Sequence, residues 1–409
     1  MKITHIHIER FRGFQNEDFE VGSLLTAIAG QNGTQKSTLL GIITQTFTLK
    51  TEDSMRVEKP LCGGSYISAF KDKFRLSPTF DKPKGHEWTI SFDAGMDDFT
   101  VESIKRTGDP NVRFWKKGAR QEGDGYISFP TIFLSLKRLV PVAEEAKIIT
   151  DDTLLTQEEL NEFKQLHNKI LIAQTPISSA TTITSKNKQS IGVSTELYDW
   201  NQNSMGQDNL GKIILALFSF KRLHDKYPRQ YKGGILAIDE MDATMYPASQ
   251  VELLKVLRKY ASKLNLQILF TTHSMSLLKA MDDLVQEVTK KEETANQAKI
   301  LYLKKVAIKQ GVNFKGIQLD LNVVAEGNNR KKNRITAYTE DKENILFVKA
   351  ILKSKAFVLD FVDVTLPCST LMELVTKRVP AFIYPYSIVI LDGDVRMNKN
   401  DLRKINNAD

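Results

Sequence analysis

Ala29-Gly30-Gln31-Asn32-Gly33-Thr34-Gln35-Lys36-Ser37-Thr38 is the stretch that decides the fold. The apolar run Leu24 to Ala29 leads into it, and Leu39-Leu40-Gly41-Ile42-Ile43 leads out with helical character, so the segment reads as strand, Gly-rich turn, helix. A phosphate-binding loop works in that setting. Backbone N–H groups and a helix N-terminus face the phosphate oxygens, a lysine adds a point charge, and a hydroxyl holds Mg²⁺. Gly30, Asn32, Gly33, Gln35, Lys36, Ser37 and Thr38 are therefore expected to hold ATP, with Ser37 on its Mg²⁺. Gln35 departs from the G-x-x-x-x-G-K-[ST] pattern, which has glycine there; glycine permits close backbone approach, and a glutamine has to find room for its side chain.

A chain of 409 residues exceeds one compact core and suggests two or three domains. Its 41% hydrophobic and 26% charged residues are those of a soluble globular protein, and no stretch is apolar for long enough to span a bilayer. The N-terminus, Met1 to Phe11, alternates like a strand and carries no signal-peptide block, so a cytoplasmic protein without membrane contact is expected. Cys62 and Cys368 stand far apart with no C-x-x-C partner, which excludes a disulfide framework and a zinc ribbon. The net charge of +8 favours contact with nucleic acid.

Along the chain, Ile3 to Ile8 and Asp18 to Val21 read as two strands separated by the turn Phe11-Arg12-Gly13-Phe14. Residues 50–130 mix Gly, Pro and charge with short β-like runs, Trp88 to Phe92 and Phe99 to Ile104, and read as an inserted antiparallel lobe. Thr131 to Leu136 is a buried-type strand ending at Lys137-Arg138. Thr156 followed by Glu159 is a capping box opening a helix, residues 174–195 read as loop with one strand, and Ile213 to Phe220 lie on an amphipathic helix. Two apolar strands follow, Ile235 to Ile238 and Leu266 to Thr272, with a helix from Val251 to Leu264 between them; this is doubly wound α/β order. Met281 to Ala298 reads as a charged surface helix, and residues 299–324 as a hairpin turning at Lys309-Gln310-Gly311. Beyond the basic connector at 326–335, residues 336–409 show helix 341–354, a strand near Phe357, a helix near Thr370 and the strand Ser387 to Leu391.

Three groups supply what a phosphate loop needs. Asp239 and Glu240 close an apolar strand, where Asp239 can hold the Mg²⁺ of MgATP and Glu240 can polarise the attacking water. His273 ends the next strand, within reach of a γ-phosphate. Asn203-Ser204-Met205-Gly206-Gln207 opens a helix suited to binding phosphate across a subunit boundary.

In this order the motifs resemble the ABC-class ATPases of the SMC, RecF and OLD type. The resemblance implies an α/β fold, an ABC-type head at 1–325 with its inserted β-lobe and a helical signature region at about 151–223. It implies that Gly30 to Thr38 are Walker A, Ser204 to Gln207 the signature, Asp239 and Glu240 Walker B, Asp242 the D-loop and His273 the H-switch. A head-to-head homodimer follows, with Ser204, Gly206 and Gln207 of one subunit closing over ATP on the other, and with Glu240 and His273 as the catalytic pair. Gln35 and Met205 depart from the family pattern and imply slow or gated hydrolysis, and no heptad region provides a coiled-coil arm. Glu340 and the pair Asp392 and Asp394 resemble the Toprim acids of topoisomerases and OLD nucleases, which converge on Mg²⁺; that region is expected to be incomplete or to serve as a docking surface. Family likeness also implies anti-phage defence of the OLD, Septu or retron-associated kind, with an effector nuclease or another defence-system protein as partner. An ATP-binding scaffold without turnover and an OLD-type nuclease remain the other readings.

Overall fold

A computed structural model describes residues 1–67, 73–77, 79–93, 95–105, 112–119, 124–139, 149–150, 154–173, 175–184, 189–325, 334–382, 387–393 and 395. The chain divides into two units, Met1–Asn322 and Val323–Asp409.

In chain order the first unit begins with β1 (Ile3–Phe11), β2 (Phe14–Glu20), β3 (Leu25–Gly30), α1 (Lys36–Thr44) and β4 (Phe47–Thr48). There follow β5 (Glu87–Phe92), β6 (Phe99–Lys105), β7 (Val112–Lys116), β8 (Ile127–Ser128), β9 (Thr131–Leu134), β10 (Ile149–Thr150) and α2 (Gln157–Leu171). Then come β11 (Ser179–Thr184), β12 (Gln189–Ser194), α3 (Met205–Lys226), β13 (Gly234–Ile238), α4 (Pro247–Lys263), β14 (Leu266–Thr272) and α5 (Met275–Val288). It ends with β15 (Ala298–Lys304), β16 (Ala307–Lys309) and α6 (Phe314–Ala325), the last of which runs past the division.

Two large sheets carry this unit, beside the smaller sheets β10-β11-β12 and β4-β8. One is antiparallel, in the order β2-β1-β5-β6-β7, so the inserted strands continue the N-terminal pair in a single sheet. The other has the order β16-β15-β3-β14-β13-β9 and is parallel except for its edge strand β16. Alternation along its strands sorts the core. Leu25, Ala27 and Ala29 of β3, Leu236 and Ile238 of β13 and Ile268 and Phe270 of β14 face a cluster that contains residues of α2, α3, α4 and α5. Ile28, Ile235, Ala237 and Leu269 face the other way, into a cluster with α1 and the antiparallel sheet. A strand buried on both faces has to be apolar throughout, which is why β3, β13 and β14 read as continuous runs.

Several expectations are corrected. Residues 174–195 hold two strands, β11 and β12, paired antiparallel. The charged helix expected from Met281 begins at Met275, capped by Ser274, and ends at Val288. Leu277, Leu278, Met281, Leu284 and Val288 are buried, so it is a core helix with one polar face. The hairpin after Ala298 turns at Lys305 and Val306, with Lys305 in the left-handed region (φ 58°), and residues 314–325 are helix. Pro247 at the first turn starts α4 ahead of the expected Val251.

The second unit holds β17 (Ile335–Thr339), α7 (Lys342–Leu352), β18 (Leu359–Phe361), α8 (Cys368–Thr376) and β19 (Ser387–Ile390). Its sheet is parallel, in the order β18-β17-β19. Among the described residues no helix is long and apolar enough to cross a membrane.

Candidate nucleotide site

Parallel order brings the C-terminal ends of β3, β14 and β13 side by side, and these carry Gly30, Thr272 and Ile238 respectively. The loop that leaves Gly30 returns into α1 through Gln35, whose φ of 67° and ψ of 29° are left-handed. That is the conformation glycine adopts freely, so the glutamine keeps the backbone that glycine would have there. Its side chain finds room over Gly13: a Cβ at Gly13 would lie 2.5 Å from Gln35 Nε2 and 2.6 Å from Val306 Cγ1. Gly33, with φ 80°, has nothing within 4 Å of an added Cβ and lies open beside the exposed Asn32.

Lys36 is buried, and its ammonium donates to the carbonyls of Gly30 (3.1 Å) and Gln31 (2.8 Å). Burial lowers its pKa, while Glu240, Asp239 and Asp242 act in the opposite direction. Ser37 Oγ donates to Asp239 Oδ1 at 2.8 Å, and Thr271 Oγ1 donates to the same oxygen at 2.7 Å. Thr38 Oγ1 accepts from Arg12 Nη1 at 3.4 Å, and Arg12 also binds Asp81 through both Nε (3.0 Å) and Nη2 (3.1 Å). The β1–β2 turn is thereby tied to the helix that follows the loop and to the segment ahead of β5.

His273 follows β14. Burial and the Lys36 charge hold its imidazole below its ordinary pKa against the pull of Asp242, Glu240 and Asp239, so the ring is neutral at pH 7. Ser274 beside it donates to Gln250 Oε1, and Gln250 Nε2 donates to the carbonyls of Asp242 (3.2 Å) and Met245 (2.8 Å). Gln250 thus fixes the segment after Glu240 to the end of β14. Asp242 keeps one buried carboxylate oxygen, Oδ1, without a partner.

Ser204 caps α3 in a reciprocal box: its N–H donates to Gln207 Oε1 (2.8 Å), and its Oγ accepts from the Gln207 N–H (3.4 Å). Gln207 Nε2 donates to Tyr198 Oη at 2.6 Å. These side chains are spent on one another and on Tyr198, not on the loop of the same chain. Gly206 is needed for contact: a Cβ there would stand 2.5 Å from the Thr244 carbonyl oxygen. Met205 is 43% exposed.

In the second unit Glu340 follows β17 and Asp392 follows β19, two paired parallel strands in which Thr339 lies opposite Ile390. Asp394 lies outside the described residues. Among the described residues no three His, Cys, Asp or Glu side chains form a metal cluster.

Three participants were not singled out in the sequence. Thr271 holds Asp239, Gln250 holds the 242–245 segment, and Arg138 reaches the Glu240 carbonyl at 2.8 Å. Arg138 stands just past β9, the strand beside β13, and a position at the mouth of a parallel sheet was the available signal.

Hard oxygen donors suit Mg²⁺. Ser37 and Asp239 present such donors 2.8 Å apart, and the open Gly33 turn with the Lys36 ammonium suits a polyphosphate.

Among solved structures, an SMC head domain from Thermotoga maritima is 14% identical, covering 76% of this chain and 98% of its own, with a TM-score of 0.40. An Smc head domain bound to the C-terminal domain of ScpA, from Pyrococcus furiosus, is 13% identical over 79% of this chain and 99% of its own, with a TM-score of 0.41. The recombination mediator RecF with ATP is 11% identical over 76% and 98%, with a TM-score of 0.39. No curated protein matches the chain significantly. The family model for the AAA ATPase domain matches residues 1–190 and 135–278, a span that contains the phosphate loop, Asp239, Glu240 and His273, and the chain belongs to the AAA ATPase domain family.

Proposed function

We propose that the chain binds ATP and hydrolyses it slowly as an ABC-class ATPase of the SMC, RecF and OLD type. It closes head to head as a homodimer around nucleotide and couples nucleotide state to DNA sensing or to control of a nuclease in anti-phage defence. The observation that carries the ATPase reading is the 2.8 Å bond from Ser37 to Asp239, which joins the phosphate loop to the acid at the end of β13. In this reading Lys36 leaves the loop carbonyls to neutralise phosphate, Glu240 accepts the proton of the attacking water, and neutral His273 orients it. Mg²⁺ held by Ser37 and Asp239 supplies charge stabilisation of the transferring phosphoryl group. Exposed Met205 beside Ser204 supports a lid that binds in trans, and the net charge of +8 supports a nucleic-acid partner.

A second reading concerns the other unit. Glu340 and Asp392 follow adjacent parallel strands, a setting in which a Toprim-like pair of acids could share a divalent ion, with Asp394 as the third.

ATP turnover and nucleotide binding by wild type, Lys36→Ala and Glu240→Gln test the ATPase reading. We expect Lys36→Ala to lose binding, and Glu240→Gln to keep binding, lose turnover and dimerise with ATP in light scattering. Background turnover in a wild type that still binds ATP would leave a scaffold instead of an ATPase. Mg²⁺-dependent DNA cleavage that disappears in Asp392→Ala would establish the second site, and cleavage that survives that change would exclude it.

A further inference from the structure

Arg138 lies in the short 3-10 turn Leu136–Leu139 that follows β9. It is 3% exposed, and burial pulls its pKa down to about 10 against the opposing charges of Asp239, Glu240 and Asp242. A buried guanidinium is tolerated only where its donors are used. Nη1 donates to the carbonyls of Leu134 (3.2 Å) and Ser135 (3.1 Å), Nε to Asn209 Oδ1 (2.7 Å) and Nη2 to the Glu240 carbonyl (2.8 Å). Asn209, fully buried on α3, donates from Nδ2 to the Ala243 carbonyl at 2.9 Å. One planar fork therefore joins the end of β9, the helix behind Ser204 and the Glu240–Ala243 segment.

Glu240 needs such support. Its φ of 50° is left-handed, an unfavourable conformation for a residue with a Cβ. Its N–H donates to Thr271 Oγ1 at 2.6 Å and its carbonyl accepts from Arg138 Nη2, so both flanking peptides are held. At the other end, Gly206 lets the first turn of α3 sit against the Thr244 carbonyl, and Thr244 is itself left-handed, with φ 68°. A shift of the α3 N-terminus therefore pulls on Asn209 and Thr244 together.

We propose that Arg138, gripped by Asn209, is a positioning residue that transmits the placement of the Ser204–Gln207 end of α3 to Glu240. The carboxylate is then set for water activation only when that helix end is docked. This rests on the ATPase reading above. Lysine cannot replace the fork, because an ammonium is a point donor that cannot serve Asn209 and Glu240 in one plane.

Steady-state ATP hydrolysis, binding of a fluorescent ATP analogue and thermal melting are to be measured for Arg138→Lys, Arg138→Met, Asn209→Ala and Glu240→Gln. We expect kcat of the Arg138 and Asn209 variants to fall about tenfold or more, with KM and nucleotide affinity unchanged. The Arg138→Met/Asn209→Leu double variant, which replaces the polar network with apolar groups of similar size, should lose no more than either single change, because the pair acts as a unit. Wild-type kcat in folded Asn209→Ala, or parallel losses of kcat and affinity, would overturn the coupling. Wild-type turnover in Glu240→Gln would overturn the ATPase assignment of Glu240 itself. Normal turnover in Arg138→Met beside an inactive Glu240→Gln would overturn this inference alone.

Discussion

Gln35 is held left-handed at the base of the phosphate loop and has its amide lodged over Gly13. Holding a residue with a Cβ in that region costs about 1 kcal/mol relative to glycine. Its Oε1 is buried without a partner, which adds to the cost. The side chain lies over Gly13, so the loop keeps a glycine-like path while the glutamine packs on the β1–β2 turn. Gly13→Ala would drive a methyl into the Gln35 amide and displace the loop, and we expect ATP affinity to fall. Gln35→Gly in the same chain removes the amide, leaving only Val306 against the new methyl, and should restore part of that affinity. Fluorescent-nucleotide titration of the two single variants and the double variant checks this, and an equal loss in Gly13→Ala with or without Gln35 would refute the steric link. Gln35→Gly alone should raise the melting temperature and speed hydrolysis; an unchanged rate would make the glutamine merely tolerated. The sequence exposed the anomaly through motif spacing, but it could not show Gly13 as the compensating position, because the two are brought together only by the β1–β2 turn passing over the loop.

Among the elements, the buried amide of Gln267 on β14 ties the five-stranded and six-stranded sheets of the first unit. It accepts from the Ile3 N–H (2.7 Å) and donates to the carbonyls of Ile3 (2.8 Å) and Gly22 (3.1 Å). Gln267→Leu leaves these backbone groups buried and unpaired, so we expect a loss of about 1–3 kcal/mol in urea unfolding, with no change in ATP affinity if the loop is undisturbed. A wild-type urea midpoint would show that water or a shifted strand replaces the amide. Strands β13 and β14 were legible because burial on both faces demands apolar runs, and α2 because its capping box is local. Helix α5 was not. Its polar face, including Gln286 and Glu287, masked the stripe Leu277, Leu278, Met281, Leu284 and Val288, and the Ser274 cap sits hidden directly behind the histidine motif. The turn at Lys305 was missed because a lysine in left-handed conformation leaves no glycine to mark it, whereas Gly311 past β16 offered a false one.

At the scale of the whole molecule, the motifs scattered from Lys36 to His273 meet because a parallel sheet gathers successive strand ends at one edge. Motif order made that edge readable, but the cross-links that make it one body, Arg138 to Glu240 and Gln250 to Asp242, join positions 102 and 8 residues apart and carry no local pattern. The helical side of the first unit holds a different kind of hidden group. His167 on α2 is 2% exposed, its ring lies 5.7 Å from that of Phe163, and neither ring nitrogen has a partner. Burial alone lowers its pKa from 6.5 to about 4. Because the unfolded chain takes up this proton near pH 6.5 and the folded chain does not until pH 4, acidification through that interval favours unfolding. The contribution reaches about 3 kcal/mol at the acid end. His167→Leu removes the group, so its urea midpoint should exceed that of wild type by a margin that is small at pH 7.5 and grows steadily toward pH 4.5. All three tryptophans, Trp88, Trp115 and Trp200, lie in the first unit, so their fluorescence follows its unfolding separately from residues 323–409. A difference between the two proteins that stays constant with pH would mean that His167 finds a proton partner in the folded state.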